Sequence, residues 1–324
     1  MNIKRYIATI ILAIVLLLNF SCTDWLDVKP VDRMSEDQLY STEAGFRQAL
    51  NGIYVELNHA DLYGDELLVN TVEILAQRYK FSSMGTLTNQ YHLAEFDYTT
   101  DYAKKCGSRI WEKAYALIAN VNKLLKNADS HKDLFTGDSY DLITGEAYAL
   151  RAFLHFDLVR LFGWGNLAKK PENLEKLCMP YMTKYDKVLT KQLTVGEVLA
   201  HIEEDLLASI ELLNNSDPYG LAPKSDDYDL PNEDKFFDNR EKRFNYWAAV
   251  CTLTRVYMWM GRKREALPLA TSFIDKGGRT SWIDSYTIDA YYEKDRDLTF
   301  SREHVFALDI AELFESVKHY IDPN

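Results

Sequence analysis

Gly145-Glu146-Ala147-Tyr148-Ala149-Leu150-Arg151-Ala152-Phe153-Leu154-His155-Phe156-Asp157-Leu158-Val159-Arg160-Leu161-Phe162-Gly163 is the stretch from which the fold is read. With Ile143 ahead of it, Ala147, Leu150, Leu154, Leu158 and Leu161 recur at three- and four-residue steps, the period of one helix face. The spacing predicts a helix from about Asp141 to Phe162, stopped by Gly163 and Gly165 with Pro171 beyond. Asp157 and Arg160 stand three apart, as a helix-surface ion pair would.

Similar stripes lie on either side. Phe46, Leu50, Ile53 and Leu57 predict a helix over about 43–58, and Ile110, Ala114, Leu117, Val121 and Leu124 predict another, with Trp111 and Tyr115 widening its apolar face. Downstream, Thr194 and Glu197 form a capping box ahead of Val198, Ile202, Leu206, Ile210 and Leu213. Two further helices, about 244–260 and 263–275, are separated by Gly261 and predict a hairpin, with Pro268 awkward inside the second. Tyr257, Gly261, Ala266 and Ala270 match the tetratricopeptide spacing of an aromatic, a turn glycine and small residues where paired helices meet. The fold class expected is mainly α, with tetratricopeptide-like helical hairpins (an α-α superhelix) and long irregular ligand-binding loops at about 60–105 and 214–240.

The amino terminus reads differently. Lys4 and Arg5 precede an apolar run from Ile7 to Leu18, followed by Asn19, Phe20, Ser21 and Cys22. Such a run spans roughly 18 Å, short of a bilayer core of about 30 Å, so it predicts a secretory signal over 1–21 and not a permanent span. Cleavage before Cys22 would leave a cysteine able to carry lipid, the expected anchor. Residues 22–40, with Pro30 and mixed charges, read as a tether and entry segment. The remaining cysteines, Cys106, Cys178 and Cys251, are odd in number and predict free buried thiols.

Composition narrows function. Lys and Arg number 37 against 49 Asp and Glu, a net charge of −12, which argues against a nucleic-acid partner. His155-x-Asp157 and His201-x-Glu203 point to opposite sides of a helix and do not converge on a metal, so a structural role is expected. Asp227-Tyr228-Asp229 imitates a calcium loop but lacks its later ligands and glycine, and reads as a solvated acidic loop. Neither a metal nor a cofactor is expected. No Gly-x-Ser-x-Gly, phosphate loop or His-Glu-x-x-His occurs, and no spacing singles out a pair of acids for glycoside hydrolysis, so the chain is not expected to be an enzyme.

Taken together, the pieces resemble the SusD/RagB family of outer-membrane nutrient-uptake lipoproteins. The resemblance rests on Cys22 followed by Trp25-Leu26-Asp27 and Pro30, on Ala49-Leu50-Asn51-Gly52-Ile53-Tyr54, on Trp111, Tyr115, Ile118, Asn120 and Asn122, on the Gly145–Gly163 block, on 248–270, and on the strand-like Glu303-His304-Val305-Phe306-Ala307-Leu308. Asp24 and Asp27 resemble the signal that sends such lipoproteins to the outer face of the outer membrane. The resemblance implies a helical domain over 41–275 and, over 276–324, the start of a C-terminal region whose remainder is missing. It implies a surface-exposed lipoprotein that captures oligosaccharides and delivers them to a SusC-like TonB-dependent transporter. A peptide-binding helical scaffold and, more remotely, a surface glycoside hydrolase stay open. Ligand contacts are expected from the early loop, which offers Asn70, Arg78, Tyr79, Asn89, Tyr91 and Tyr98; packing of these tyrosines into the scaffold is the alternative.

Overall fold

A computed structural model describes residues 35–83, 85–277, 300, 303–310, 313 and 318. The expected signal segment, Cys22 and the tether up to residue 34 lie outside the described residues, as does most of 276–324. The chain divides into two units, 1–39 and 40–324. In the first, the described part of the expected tether is a short helix, α1 (Glu36–Leu39). Ser35 and Gln38 cap it reciprocally, each side chain accepting from the other's backbone N–H.

The second unit is helical. α2 (Glu43–Leu57) begins at Thr42, whose hydroxyl accepts from the Gly45 N–H, and buries Phe46, Leu50, Ile53 and Leu57 as the stripe requires. Short helices α3 (Thr71–Leu75) and α4 (Thr88–Ala94) interrupt the first expected loop. The long α5 (Asp101–Ser130) then leads to α6 (Ser139–Phe162), the quoted block. A two-stranded antiparallel ladder, β1 (Leu177–Met179) with β2 (Leu193–Thr194), precedes α7 (Val195–Ser216), whose Thr194–Glu197 capping box forms as expected. The hairpin α8 (Tyr246–Met260) and α9 (Lys263–Lys276) follows.

α6 is the centre. It packs most extensively on α7 and also on α5, while α7 packs on α8 and α8 on α9. A helix enclosed this way is buried on more than its aliphatic stripe, and Glu146, Arg151 and His155 are interior along with Leu150 and Leu154. Gly145 has a steric reason: a Cβ there would stand 2.9 Å from Leu213 Cγ, so the close approach of α6 and α7 needs glycine. At the hairpin, Gly261 adopts φ +78°, the left-handed helix ending that glycine accommodates without strain. Helix α9 runs through Pro268, an exposed position, and forgoes the backbone hydrogen bond that proline cannot donate.

The buried charges of α6 are paired. Arg151 forks onto Asp205 of α7, Nε and Nη2 at 2.7 and 2.6 Å, and its Nη1 reaches Asn122 Oδ1 of α5 at 2.9 Å. His155 donates from Nδ1 to the Arg151 carbonyl at 2.8 Å and accepts the Met182 N–H at Nε2, 3.1 Å, which fixes a neutral tautomer. Burial pushes its pKa down to about 3. Asn122 donates to the Met182 carbonyl and Tyr115 to that of Pro180, so the chain leaving β1 is held by side chains of α5 and α6. On the other side Glu146 pairs with Arg240, accepts the Tyr54 hydroxyl at 2.6 Å, and Arg240 continues to Asp217 at 2.7 Å.

Beyond the end of α7 at Ser216 the second long stretch is irregular as expected, with Asp226, Asp227 and Asp229 exposed. It is tied down where the Asp229 carbonyl accepts the Asp138 N–H, the Asp229 N–H donates to Asp138 Oδ2, and Arg47 holds Asp234 and the Pro231 carbonyl. Two expectations need correction. Glu303–Leu308 forms no strand; it is irregular, and Phe306 packs against Phe244 at 4.9 Å while the Ala307 N–H reaches the Glu241 carbonyl. Cys106, Cys178 and Cys251 are free, but only Cys106 is fully buried. His201 meets Glu204, while Glu203 takes the Tyr257 hydroxyl and Arg262. Asp157 and Arg160 pair at 3.0 Å as expected.

Candidate functional site

The first half of α5, the two short helices before it and the end of α6 enclose a cleft of about 560 Å³. Its base is built from the loop that the sequence leaves irregular. Ile74 of α3, Leu93 of α4 and Ala103 of α5 form a small buried cluster, with Tyr79, Phe81 and Tyr102 packed around it. Glu66, wholly buried, accepts from Thr71 and pairs with Arg109, tying the turn ahead of α3 to α5. Thr100 caps α5 by accepting the Ala103 N–H.

On that support α5 presents Lys104, Ser108 and Trp111 at i, i+4 and i+7, one stripe along the cleft, with Glu112 beside them. Leu161 and Phe162 close the far wall, and Tyr98 stands at the mouth, 57% exposed. Trp111 and Phe162 meet edge to face, centroids 5.2 Å apart and planes at 88°, so each ring steadies the other while part of its surface stays open. Tyr115 backs Trp111 at 4.8 Å. Lys104 and Glu112, eight residues apart, set opposite charges about 12 Å apart along the helix.

The six residues expected from the early loop do not converge. Tyr98 lines the cleft. Asn70 is buried, with Nδ2 3.4 Å from Asp65 and Oδ1 3.5 Å from the Tyr102 hydroxyl. Tyr79 donates to the Val69 carbonyl at 2.9 Å and packs on Phe81. Arg78 is exposed, 3.8 Å from Glu73, and Asn89 and Tyr91 sit on α4, Asn89 exposed and Tyr91 beside His92. Trp111, Phe162, Lys104, Ser108 and Glu112, which line the cleft, are not among the residues expected from the sequence. Trp111 stands one position off the Ile110 stripe, and Phe162 directly precedes the stop at Gly163, the two hints the sequence carried.

This arrangement suits binding. Flat apolar rings with a lysine, a hydroxyl and a carboxylate around them match a ligand having apolar faces and hydroxyl edges. Glu112 is the one carboxylate among the described residues lining the cleft. Among the described residues no three His, Cys, Asp or Glu are placed to hold a metal ion, and no helix is long and apolar enough to cross a membrane.

Comparison with known proteins places the chain. The SusD-like family described as "starch-binding associating with outer membrane" matches residues 24–225. SusD-like protein P2 of Formosa agariphila is 28% identical over 160 residues, 49% of this chain and 30% of that protein. SusD-like protein P25 of the same organism is 27% identical over 175 residues, covering 53% and 33%. Among solved structures, a SusD-like carbohydrate-binding protein of Bacteroides vulgatus aligns with a TM-score of 0.62 at 18% identity, over 87% of this chain and 54% of its own. A sugar-binding protein of the same species aligns at 0.55 and 24% identity, over 75% and 48%. These likenesses show the fold. The matched part is about a third of the length of the curated relatives and about half that of the solved chains.

Proposed function

Because the chain belongs to this SusD-like family, we propose that it is a surface-exposed, lipid-anchored glycan-binding protein that captures an oligosaccharide and delivers it to a SusC-like TonB-dependent transporter in the outer membrane. The observation that carries the reading is the cleft walled by Tyr98, Trp111 and Phe162. Pyranose rings offer C–H faces to such aromatics, and Lys104, Ser108 and Glu112 are placed to meet hydroxyls. Arg78, Asn89 and Tyr91, on the neighbouring exposed segments, would extend contacts along a longer glycan. Cys22 would carry the lipid, and the protein would bind without making or breaking a bond.

Affinity electrophoresis of the purified chain in gels containing starch or other polysaccharides, paired with an assay for released reducing ends, tests this. Retarded migration without sugar release is expected. Release of reducing sugar would make the protein an enzyme, and indifference to every glycan with capture of peptides would make it a peptide-binding scaffold. Surface labelling should be lost in Cys22→Ala; labelling that persists would remove the anchor.

A further inference from the structure

The chain between β1 and β2 is held tightly at its root and then let go. Tyr181 is buried, its hydroxyl on Asp205 and its ring stacked on His155 at 3.8 Å, and the backbone of Pro180 and Met182 is bound by Tyr115, Asn122 and His155. From Thr183 to Gln192 every residue is exposed. At the tip stand two adjacent aliphatic side chains, Val188 at 72% and Leu189 at 97% exposure. Asp186 turns the chain there by accepting the Val188 N–H at 3.1 Å.

The charge around this tip opposes that of the whole. Lys184, Lys187 and Lys191 flank the aliphatic pair, and Tyr185 lies beneath Lys123 and Lys126 of α5, 5.3 and 6.0 Å from its ring. Five lysines face one loop aspartate in a chain of net charge −12. Lys191 also lies near enough to Glu197 to help lower its pKa, behind the hydrogen bonds from Thr194. Interface cores with other proteins are depleted in lysine. Lysines around protruding aliphatics suit a surface where the ammonium groups meet anionic headgroups and the apolar tip enters the acyl boundary.

We propose that the 184–191 loop is a membrane-contacting tip that docks on anionic lipid headgroups. It is a second point of contact, separate from the cleft and independent of lipidation at Cys22. The test places an environment-sensitive fluorescent amino acid at Thr190 of the full chain, with a control probe at the exposed Asp226. The probe at Thr190 is expected to shift to the blue with vesicles of mixed phosphatidylglycerol and phosphatidylcholine. It should not shift with phosphatidylcholine alone, and the Asp226 probe should not respond. Each lysine near such a surface contributes roughly fivefold, so Lys184→Gln, Lys187→Gln and Lys191→Gln together should weaken the response on the order of a hundredfold. Salt at about 0.5 M should suppress it, the screening length falling to about 4 Å. Val188→Ser with Leu189→Ser should abolish the blue shift. No shift with anionic vesicles, an equal shift with neutral ones, or an unchanged response in either variant would overturn the proposal; circular dichroism checks that the variants fold.

Discussion

Replacing Arg151 by Ala is the sharpest test of why α6 carries charge in its interior. The guanidinium is 7% exposed and satisfies Asp205, itself 8% exposed, through two parallel bonds, along with Asn122 Oδ1. Removing it strands a buried carboxylate whose remaining side-chain partner is the Tyr181 hydroxyl. Breaking one side of a buried pair costs about 3–5 kcal/mol. Set against a total stability of roughly 5–15 kcal/mol, that is a large share. At about 2–4 °C per kcal/mol, Tm should fall by roughly 6–20 °C. Thermal unfolding followed by circular dichroism measures it. Arg151→Lys, which keeps charge but loses the planar fork, should fall between. Arg151→Met combined with Asp205→Leu should recover most of the loss, since no charge is then left unpaired. A cost below about 1 kcal/mol for Arg151→Ala, or a double variant worse than the single one, would refute the reasoning.

His155 is held neutral, its folded pKa about 3 lying below the unfolded value near 6.5, so its contribution is fully present above pH 6.5 and is lost as pH falls towards 3. By pH 5 about 2 kcal/mol should be gone, a slope that urea melts should find in the wild type and not in His155→Gln. Gly145→Ala should destabilise by roughly 1–2 kcal/mol despite the better helix propensity of alanine, because its Cβ meets Leu213; a neutral or stabilising result would remove the steric account. Gly261→Val should lower Tm by several degrees, as a β-branched residue is strained at φ +78° and its side chain meets Ala168, whereas an exposed substitution such as Lys263→Ala should leave it within about 2 °C.

The long helices were legible because each carries its own stripe: Phe46 to Leu57, Ile110 to Leu124 and Val198 to Leu213 are periodic over several turns. Helices α3 and α4 were not, since five and seven residues hold too few turns to show a period. The interior of α6 was half visible. Its aliphatic stripe is plain, but Glu146 and Arg151 look like surface residues until Arg240 and Asp205, 94 and 54 residues away, are brought opposite. The cleft was hidden for the same reason. Tyr98, Trp111 and Phe162 come from three separate segments, and only the packing of α5 against α6 brings Trp111 to Phe162. The block around Gly145–Gly163 thus marks the scaffold, and of the cleft's three aromatic walls it holds only Phe162, next to its last residue.

Glycan binding in the aromatic cleft is the central proposal for this protein. The most direct measurement is a calorimetric titration of the full chain with malto-oligosaccharides and other oligosaccharide pools, repeated with Trp111→Ala. Loss of an aromatic anchor at the centre of a site costs about 2 kcal/mol, so affinity should drop about thirtyfold with little change in Tm. Binding that keeps its full strength in a folded Trp111→Ala chain would contradict the account.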